Sequence, residues 1–232
     1  MTSELAPAGS RPRRLVLVTG TATEVGKTWV SAALLGRARD RGMVVAARKP
    51  AQSFEVGPGG AAREPTDAQR LAAATGEDPD EVCPPGRSYA VPMAPPMAAA
   101  VLGRPAPTIA QFVAAITASW PPPAAGDPSV DLAVVEGAGG VASPLGDDGD
   151  SADLGRALGV DVAVVVGDPA LGVINSVRLA AAALAPIPVV VHLNRFDPGA
   201  DLHRRNAAWL RDRDRFPVTT TVAELLDALT GG

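Results

Sequence analysis

The residues best suited to chemistry stand close to the start of the chain. Gly26-Lys27-Thr28 puts a backbone without a Cβ, a mobile cation and a hydroxyl in succession, where the apolar run Leu15 to Val18 has passed through a loop into a helical pattern. Backbone N–H groups at a helix N-terminus face an anion, and the local dipole favours negative charge. Lys27 can reach outer phosphates, and Thr28 can ligate Mg²⁺. The common phosphate loop has four residues between its first glycine and the Gly-Lys pair. Here five, Thr21, Ala22, Thr23, Glu24 and Val25, lie between Gly20 and Gly26.

Other polar residues sit where apolar runs end. Glu136 closes the run DLAVV and precedes Gly137-Ala138-Gly139-Gly140. A carboxylate there can serve a hard cation together with Thr28 and phosphate oxygens, or be a surface glutamate before a turn. Lys49 follows a second run and can neutralise charge on a reacting group, or be a solvated strand-end lysine. Asp67 falls in the first turn of a helical pattern, where the dipole favours it in any case. Asn194 can read a base edge with its paired donor and acceptor, or cap the next helix. Cys83, His192 and the charged run around His203 read as structural or solvated. Met93 and Met97 fall in a loop and are candidates to line an apolar pocket.

These residues need elements to position them. Strands are expected at 15–19, 43–48, 131–136, 161–167, 187–193 and near 217–219. Their runs are nearly continuous in Val, Leu and Ala, which suits strands covered on both faces. Helices are expected at about 28–41, 66–75, 108–119, 151–158, 173–184, 199–213 and 221–229. Thr66 with Gln69 and Thr108 with Gln111 have the spacing of capping boxes, and Gly42 stands where a helix ends. Strand–helix alternation predicts one α/β domain, P-loop NTPase-like, with a mostly parallel twisted sheet and helices on both faces, over residues 15–232. Residues 1–14 are expected to be a disordered tail. Residues 50–65 and 84–107 read as long functional loops, and 121–128 as a surface connector. Ligands of such sheets sit at the carboxyl ends of strands, and polar groups arrive there from five of the expected ones.

The composition excludes several function classes. With 232 residues and a net charge of −4, the chain has no global basic field for nucleic acid. One cysteine and two histidines leave no disulfide within the sequence and no Cys/His metal centre. The longest apolar runs are strand-length, so no membrane segment is expected. Residues 1–14 lack an apolar signal core, and a cytoplasmic location is the default expectation.

Taken together, the motifs resemble those of the dethiobiotin synthetases. The resemblance rests on G-T-A-T-E-V-G-K-T, with the five-residue spacing characteristic of that family, and on Lys49-Pro50-Ala51-Gln52-Ser53. It extends to Thr66-Asp67-Ala68, Tyr89 with PMAPPMAAA, Val135 through Gly140, Leu171 through Asn175, and Asn194. It implies ATP- and Mg²⁺-dependent ring closure of 7,8-diaminononanoate with CO₂ or bicarbonate, through a carbamate and its mixed anhydride with phosphate. By position it implies Lys27 and Lys49 as catalytic residues and Thr28, Asp67 and Glu136 as Mg²⁺ ligands. Glu24, Val25, Gly26, Lys27, Thr28, Trp29, Asp67, Glu136, Gly137, Ala138, Gly139 and Asn194 would contact ATP. Ser53 would touch the substrate, and Val173, Ile174 and Asn175 would hold its carboxylate across a homodimer interface. The rival reading is a partition or positioning ATPase that dimerises around nucleotide. Its signature lysine would fall at Ala22.

Overall fold

The computed structural model describes residues 11–57, 59, 62–120 and 129–231. Six strands form one sheet: β1 (Arg14–Gly20), β2 (Val45–Arg48), β5 (Leu132–Glu136), β6 (Val162–Gly167), β7 (Val189–Leu193) and β8 (Val218–Thr219). Their order is β2-β5-β1-β6-β7-β8, and every pairing is parallel. Leu17 lies opposite Val135 on one side and Ala163 on the other, which puts β1 at the centre.

The continuous apolar runs are explained by burial on both faces. Side chains alternate along a strand. Leu15 and Leu17 enter a core with Phe112 of α5 (Ile109–Ala118), Leu154 of α6 (Ser151–Leu158), Val177 of α7 (Val173–Leu184) and Leu210 of α8 (Asp201–Asp212). Val16 and Val18 enter another, with Leu34 of α1 (Lys27–Asp40), Leu71 of α2 (Asp67–Thr75) and Leu225 of α9 (Val222–Thr230). The fold is thus the expected α/β arrangement. Both anticipated capping boxes form, and Asp150 with Asp153 and Thr221 with Glu224 add two more. Gly42 follows α1 at φ +81°.

Chain order reverses at β1. The chain passes from β1 to the β2 side, then crosses from β5 to β6 on the other. Such a switch point opens a crevice at the carboxyl ends of the strands.

The two long stretches read as loops hold more structure than expected. Gln52–Ser53 (β3) pairs in parallel with Ser88–Tyr89 (β4), forming a separate two-stranded sheet. Pro79–Val82 (α3) precedes the second stretch, and a 3-10 turn at Pro85–Arg87 and Pro95–Val101 (α4) lie within it. Proline at the first position of a helix needs no N–H and arrives with a helical φ. A proline-rich stretch therefore need not be a loop. Met93 and Met97 are exposed, and Met97 lies on α4 rather than in a loop. At the N-terminus, the Arg13 and Arg14 N–H groups donate to the Val130 and Asp131 carbonyls, and Arg11 pairs with Asp161. Residues 11–14 are therefore tied to the sheet, while 1–10 of the expected tail and the connector 121–128 lie outside the described residues.

Candidate active site

A cavity of about 720 Å³ opens at the carboxyl end of the sheet beside the start of α1. Glu24, Gly26, Lys27, Thr28 and Trp29 line it from the loop after β1, and Ala138 and Gly139 from the turn after β5. Lys49, Ser53 and Asp67 complete the expected set at its surface. Val25, Glu136 and Asn194 stand just behind this surface, all buried. Gly137 lacks a Cβ for a steric reason: one would meet Ser151 Oγ at 2.3 Å.

α1 begins differently from the capped helices. Its N-cap is Gly26, at φ +91°, and no side chain caps its N–H groups. Its first amide groups have no intrahelical acceptors and form the floor of the cavity, an arrangement suited to polyphosphate. A Cβ on Gly26 would lie 2.2 Å from Asn194 Nδ2. Asn194 Nδ2 donates to the Val25 carbonyl at 2.9 Å. Asn194 therefore caps no helix, since α8 begins at Asp201 with Ala200 as its N-cap, and one of its two amide hydrogens is already engaged.

Charge is concentrated around Lys49, which is 2% exposed. Its ammonium lies 2.8 Å from Glu136 Oε1 and 2.7 Å from Asp67 Oδ2, and donates to the Gly137 carbonyl at 3.0 Å. Burial works against the charge on Lys49, but Glu136 and Asp67 outweigh it and raise its pKa above the ordinary lysine value. Asp67 is likewise opposed by burial, yet Lys49 and the Thr28 hydroxyl hold its carboxyl below the ordinary range. Lys27 goes the other way: burial first, and Lys49 second, lower its pKa. The two lysines differ in role. Lys49 is a fixed charge in a carboxylate cage, whereas Lys27 donates at 3.2 Å to the Ala22 carbonyl and faces the cavity.

Thr28 Oγ1 lies 2.9 Å from Asp67 Oδ1 and 2.7 Å from Glu136 Oε1. Neighbouring ligands of an octahedral Mg²⁺ with bonds of about 2.0–2.1 Å stand about 2.9 Å apart, so each carboxylate oxygen stands at the spacing of a ligand adjacent to Thr28 Oγ1. The donors are hard oxygens throughout. Ser31 Oγ, 2.7 Å from Glu136 Oε2, fixes the far side of that carboxylate. Among the described residues no group of three or more His, Cys, Asp or Glu stands placed to hold a metal.

Val173, Ile174 and Asn175 do not line this cavity. They form the first turn of α7 at the same sheet edge, where a Cβ on Gly167 would meet both Val173 and Thr21. α7, like α1, starts from a left-handed glycine, Gly172, with no side-chain cap.

Sequence reasoning missed Gln52, Glu64, Arg70 and Arg195, which also line the cavity. Gln52 bridges Ser88 Oγ and the Ala68 N–H at the start of α2, so it positions the turn that carries Asp67. Arg195 follows Asn194, and that adjacency was its one available signal. The residues read as bland are so. Burial raises the Cys83 thiol to about 12, and His192 is buried with Nδ1 3.0 Å from Thr219 Oγ1. The charged helix α8 pairs Asp201 with Arg204 and Arg205 at the surface.

Residues 14–191 match a family described as an AAA domain. The chain is 42% identical over 175 residues to an ATP-dependent dethiobiotin synthetase BioD of Anaeromyxobacter sp. (strain Fw109-5), covering 74% of this chain and 70% of that one. It is 40% identical to the protein of that name from Anaeromyxobacter dehalogenans (strain 2CP-C), covering 87% of each. The Xanthomonas euvesicatoria pv. vesicatoria counterpart is 37% identical over 86% of each. Solved structures share the fold alone. The signal recognition particle receptor FtsY of Elizabethkingia anophelis has a TM-score of 0.50 at 13% identity, covering 96% of this chain and 67% of that one. A protein described as a plasmid partition protein of Borrelia burgdorferi B31, bound to AMPPNP, has 0.50 at 12%, covering 95% and 89%. The likeness to partition proteins therefore stops at the fold. With relatives at this identity over most of its length, the chain belongs to the dethiobiotin synthetase family, the ATP-dependent P-loop ligases of biotin biosynthesis.

Proposed function

We propose that the cavity closes the cyclic urea of dethiobiotin from 7,8-diaminononanoate, CO₂ and ATP. One amine attacks CO₂, forming an N–C bond and losing a proton, to give a carbamate. A carbamate oxygen takes the γ-phosphoryl group as the bond to the β-phosphate bridge breaks and ADP leaves. The second amine attacks the carbamoyl carbon, expels phosphate and closes the ring.

The observation that carries this reading is the cage of Lys49, Glu136, Asp67 and Thr28 beside the start of α1. Phosphoryl transfer depends on position and charge more than on a protein nucleophile. Lys49, held charged, stabilises the carbamate oxygens and the transferring group. Lys27 follows the outer phosphates, and the uncapped amides of α1 hold the others. Thr28, Asp67 and Glu136 hold Mg²⁺, which when bound neutralises charge on the phosphate oxygens. Asp67 and Glu136, which hold the Lys49 ammonium, would also supply oxygen ligands to that ion. Asn194, its Nδ2 engaged by Val25, offers Oδ1 to an amino group of the base. Ser53 contacts the diamine chain.

The substrate carboxylate is assigned to the first turn of α7, through Val173, Ile174 and Asn175 of a partner subunit in a homodimer. The uncapped α7 terminus supports this, as does Asn206, whose Nδ2 donates to the Pro169 and Ala170 carbonyls and steadies the turn before it. Leu171, just before that turn, and Leu179, further along α7, are 89% and 64% exposed, apolar side chains suited to contact a second copy. No described helix is long and apolar enough to cross a membrane, and the reaction is assigned to the cytoplasm.

The test is phosphate release by purified protein with Mg²⁺, ATP, bicarbonate and the diamine. Release must depend on the diamine and match dethiobiotin formed. Phosphate release at the same rate without the diamine rejects the assignment.

A further inference from the structure

The end of β7 grips the phosphate loop at two consecutive carbonyls. Asn194 Nδ2 donates to Val25 O, and one guanidinium nitrogen of Arg195 donates to Glu24 O at 3.1 Å. Another nitrogen of Arg195 lies 3.6 Å from Asp168 Oδ2, just after β6. One side chain thus ties the loop after β1 to the ends of β6 and β7, and it does so at the cavity surface.

The backbone on both sides of this tie is unusual. Glu24 has φ +59° and Arg195 has φ +58°, both in the left-handed region that non-glycine residues seldom occupy. Gly26 follows at φ +91°. Residues in such conformations persist only where their surroundings over-determine them. Here the surroundings are the side chains of Asn194 and Arg195, which follow β7. A further consequence concerns the dipoles of the loop. A carbonyl turned toward a polyphosphate repels it, whereas successive N–H groups turned toward it form an anion-binding concavity. With the Glu24 and Val25 carbonyls engaged by β7, the amides that follow at Gly26, Lys27 and Thr28 are left for the anion.

We propose that Arg195 is a positioning residue for the phosphate loop: by holding Glu24 O against the end of β7, it keeps the loop in its polyphosphate-binding form. The proposal rests on the nucleotide reading of the cavity but concerns a residue to which that reading assigns nothing. Because the hold acts on the loop, its effect extends to any polyphosphate and does not depend on a base.

The experiment compares the full chain with Arg195→Ala and Arg195→Lys by calorimetry, titrating ADP and, separately, inorganic tripolyphosphate, both with Mg²⁺. Arg195→Ala is expected to weaken both ligands about tenfold, the loss of one charge-assisted hydrogen bond. Arg195→Lys, which keeps a cation of similar reach, recovers most of that loss. In turnover, the KM for ATP rises while kcat at saturating ATP changes little. A loss confined to ADP, with tripolyphosphate unaffected, would mean that Arg195 touches base or sugar directly, and overturns the proposal. So does a lowered melting temperature with both affinities unchanged. A wild-type protein that binds neither ligand sinks the nucleotide reading itself, a result distinct from either.

Discussion

Lys49 Nζ and Glu136 Oε1 meet at 2.8 Å in the interior, with the lysine 2% and the glutamate 0% exposed. Removing one partner of a buried pair leaves the other charge uncompensated, at a cost of about 3 kcal/mol or more. Lys49→Ala is therefore expected to keep the native circular dichroism spectrum at 25 °C but to melt about 10 °C lower. Its kcat for ring closure should fall by about a hundredfold to a thousandfold, the size of effect seen when a charge-stabilising group is removed. Retained turnover would remove Lys49 from the mechanism. An unfolded variant would mean that the charge pair is needed for folding more than for chemistry.

Gly26 gives a prediction about backbone and packing together. Alanine there meets φ +91° and a 2.2 Å approach to Asn194 Nδ2. The left-handed conformation alone costs about 1–2 kcal/mol. Gly26→Ala should lower stability in urea by about 3 kcal/mol in all and weaken nucleotide binding. Asn194→Ala in that background removes the contact and leaves the strain. The double variant should thus be more stable than the sum of the two single losses by at least about 1 kcal/mol. Strict additivity would show that the contact is not what forbids a side chain at Gly26.

What the sequence made legible was local. The phosphate loop, the strands and the capping boxes are written in adjacent residues, because period and cap chemistry act over a few positions. Lys49, Asp67 and Glu136 were visible as polar ends of apolar runs, but their meeting was not. It requires β2 to pair with β5 and α2 to pack on α1. Gln52 was hidden for the same reason, since its partner Ser88 lies 36 positions away in a two-residue strand too short to show a period. Asn194 was read as a base contact or a cap. One N–H of its amide holds Val25 across 169 positions, a relationship no local pattern carries.

The buried imidazole of His192 sets a pH limit on stability. Burial lowers its pKa to about 4, only partly opposed by Glu224. In the unfolded chain it titrates near 6.5. Between these values the unfolded chain binds the proton and the folded one does not, so stability falls as pH falls from about 6.5 to 4. The loss reaches about 3 kcal/mol at the lower end. Urea midpoints of the wild type should drop over that interval, and those of His192→Asn, which cannot charge, should drop less. Parallel profiles for the two proteins would assign the acid sensitivity to other groups.

The division of one site between two subunits can be tested by mixing inactive variants. Lys49→Ala removes the charge from the cavity. Asn175→Asp sets an anion on the first turn of α7, where it repels a substrate carboxylate. The same aspartate suits the helix dipole, so the fold is retained. Each homodimer should be inactive with the diamine. If Lys49 of one chain serves with the first turn of α7 from the other, as proposed, a heterodimer holds one site with both changes and one with neither. Unfolding and refolding an equal mixture gives heterodimers in about half of the molecules, each with half of its sites intact. Activity should return to about a quarter of the wild type. If the α7 turn served its own subunit, every site in the mixture would carry one defect and no activity would return.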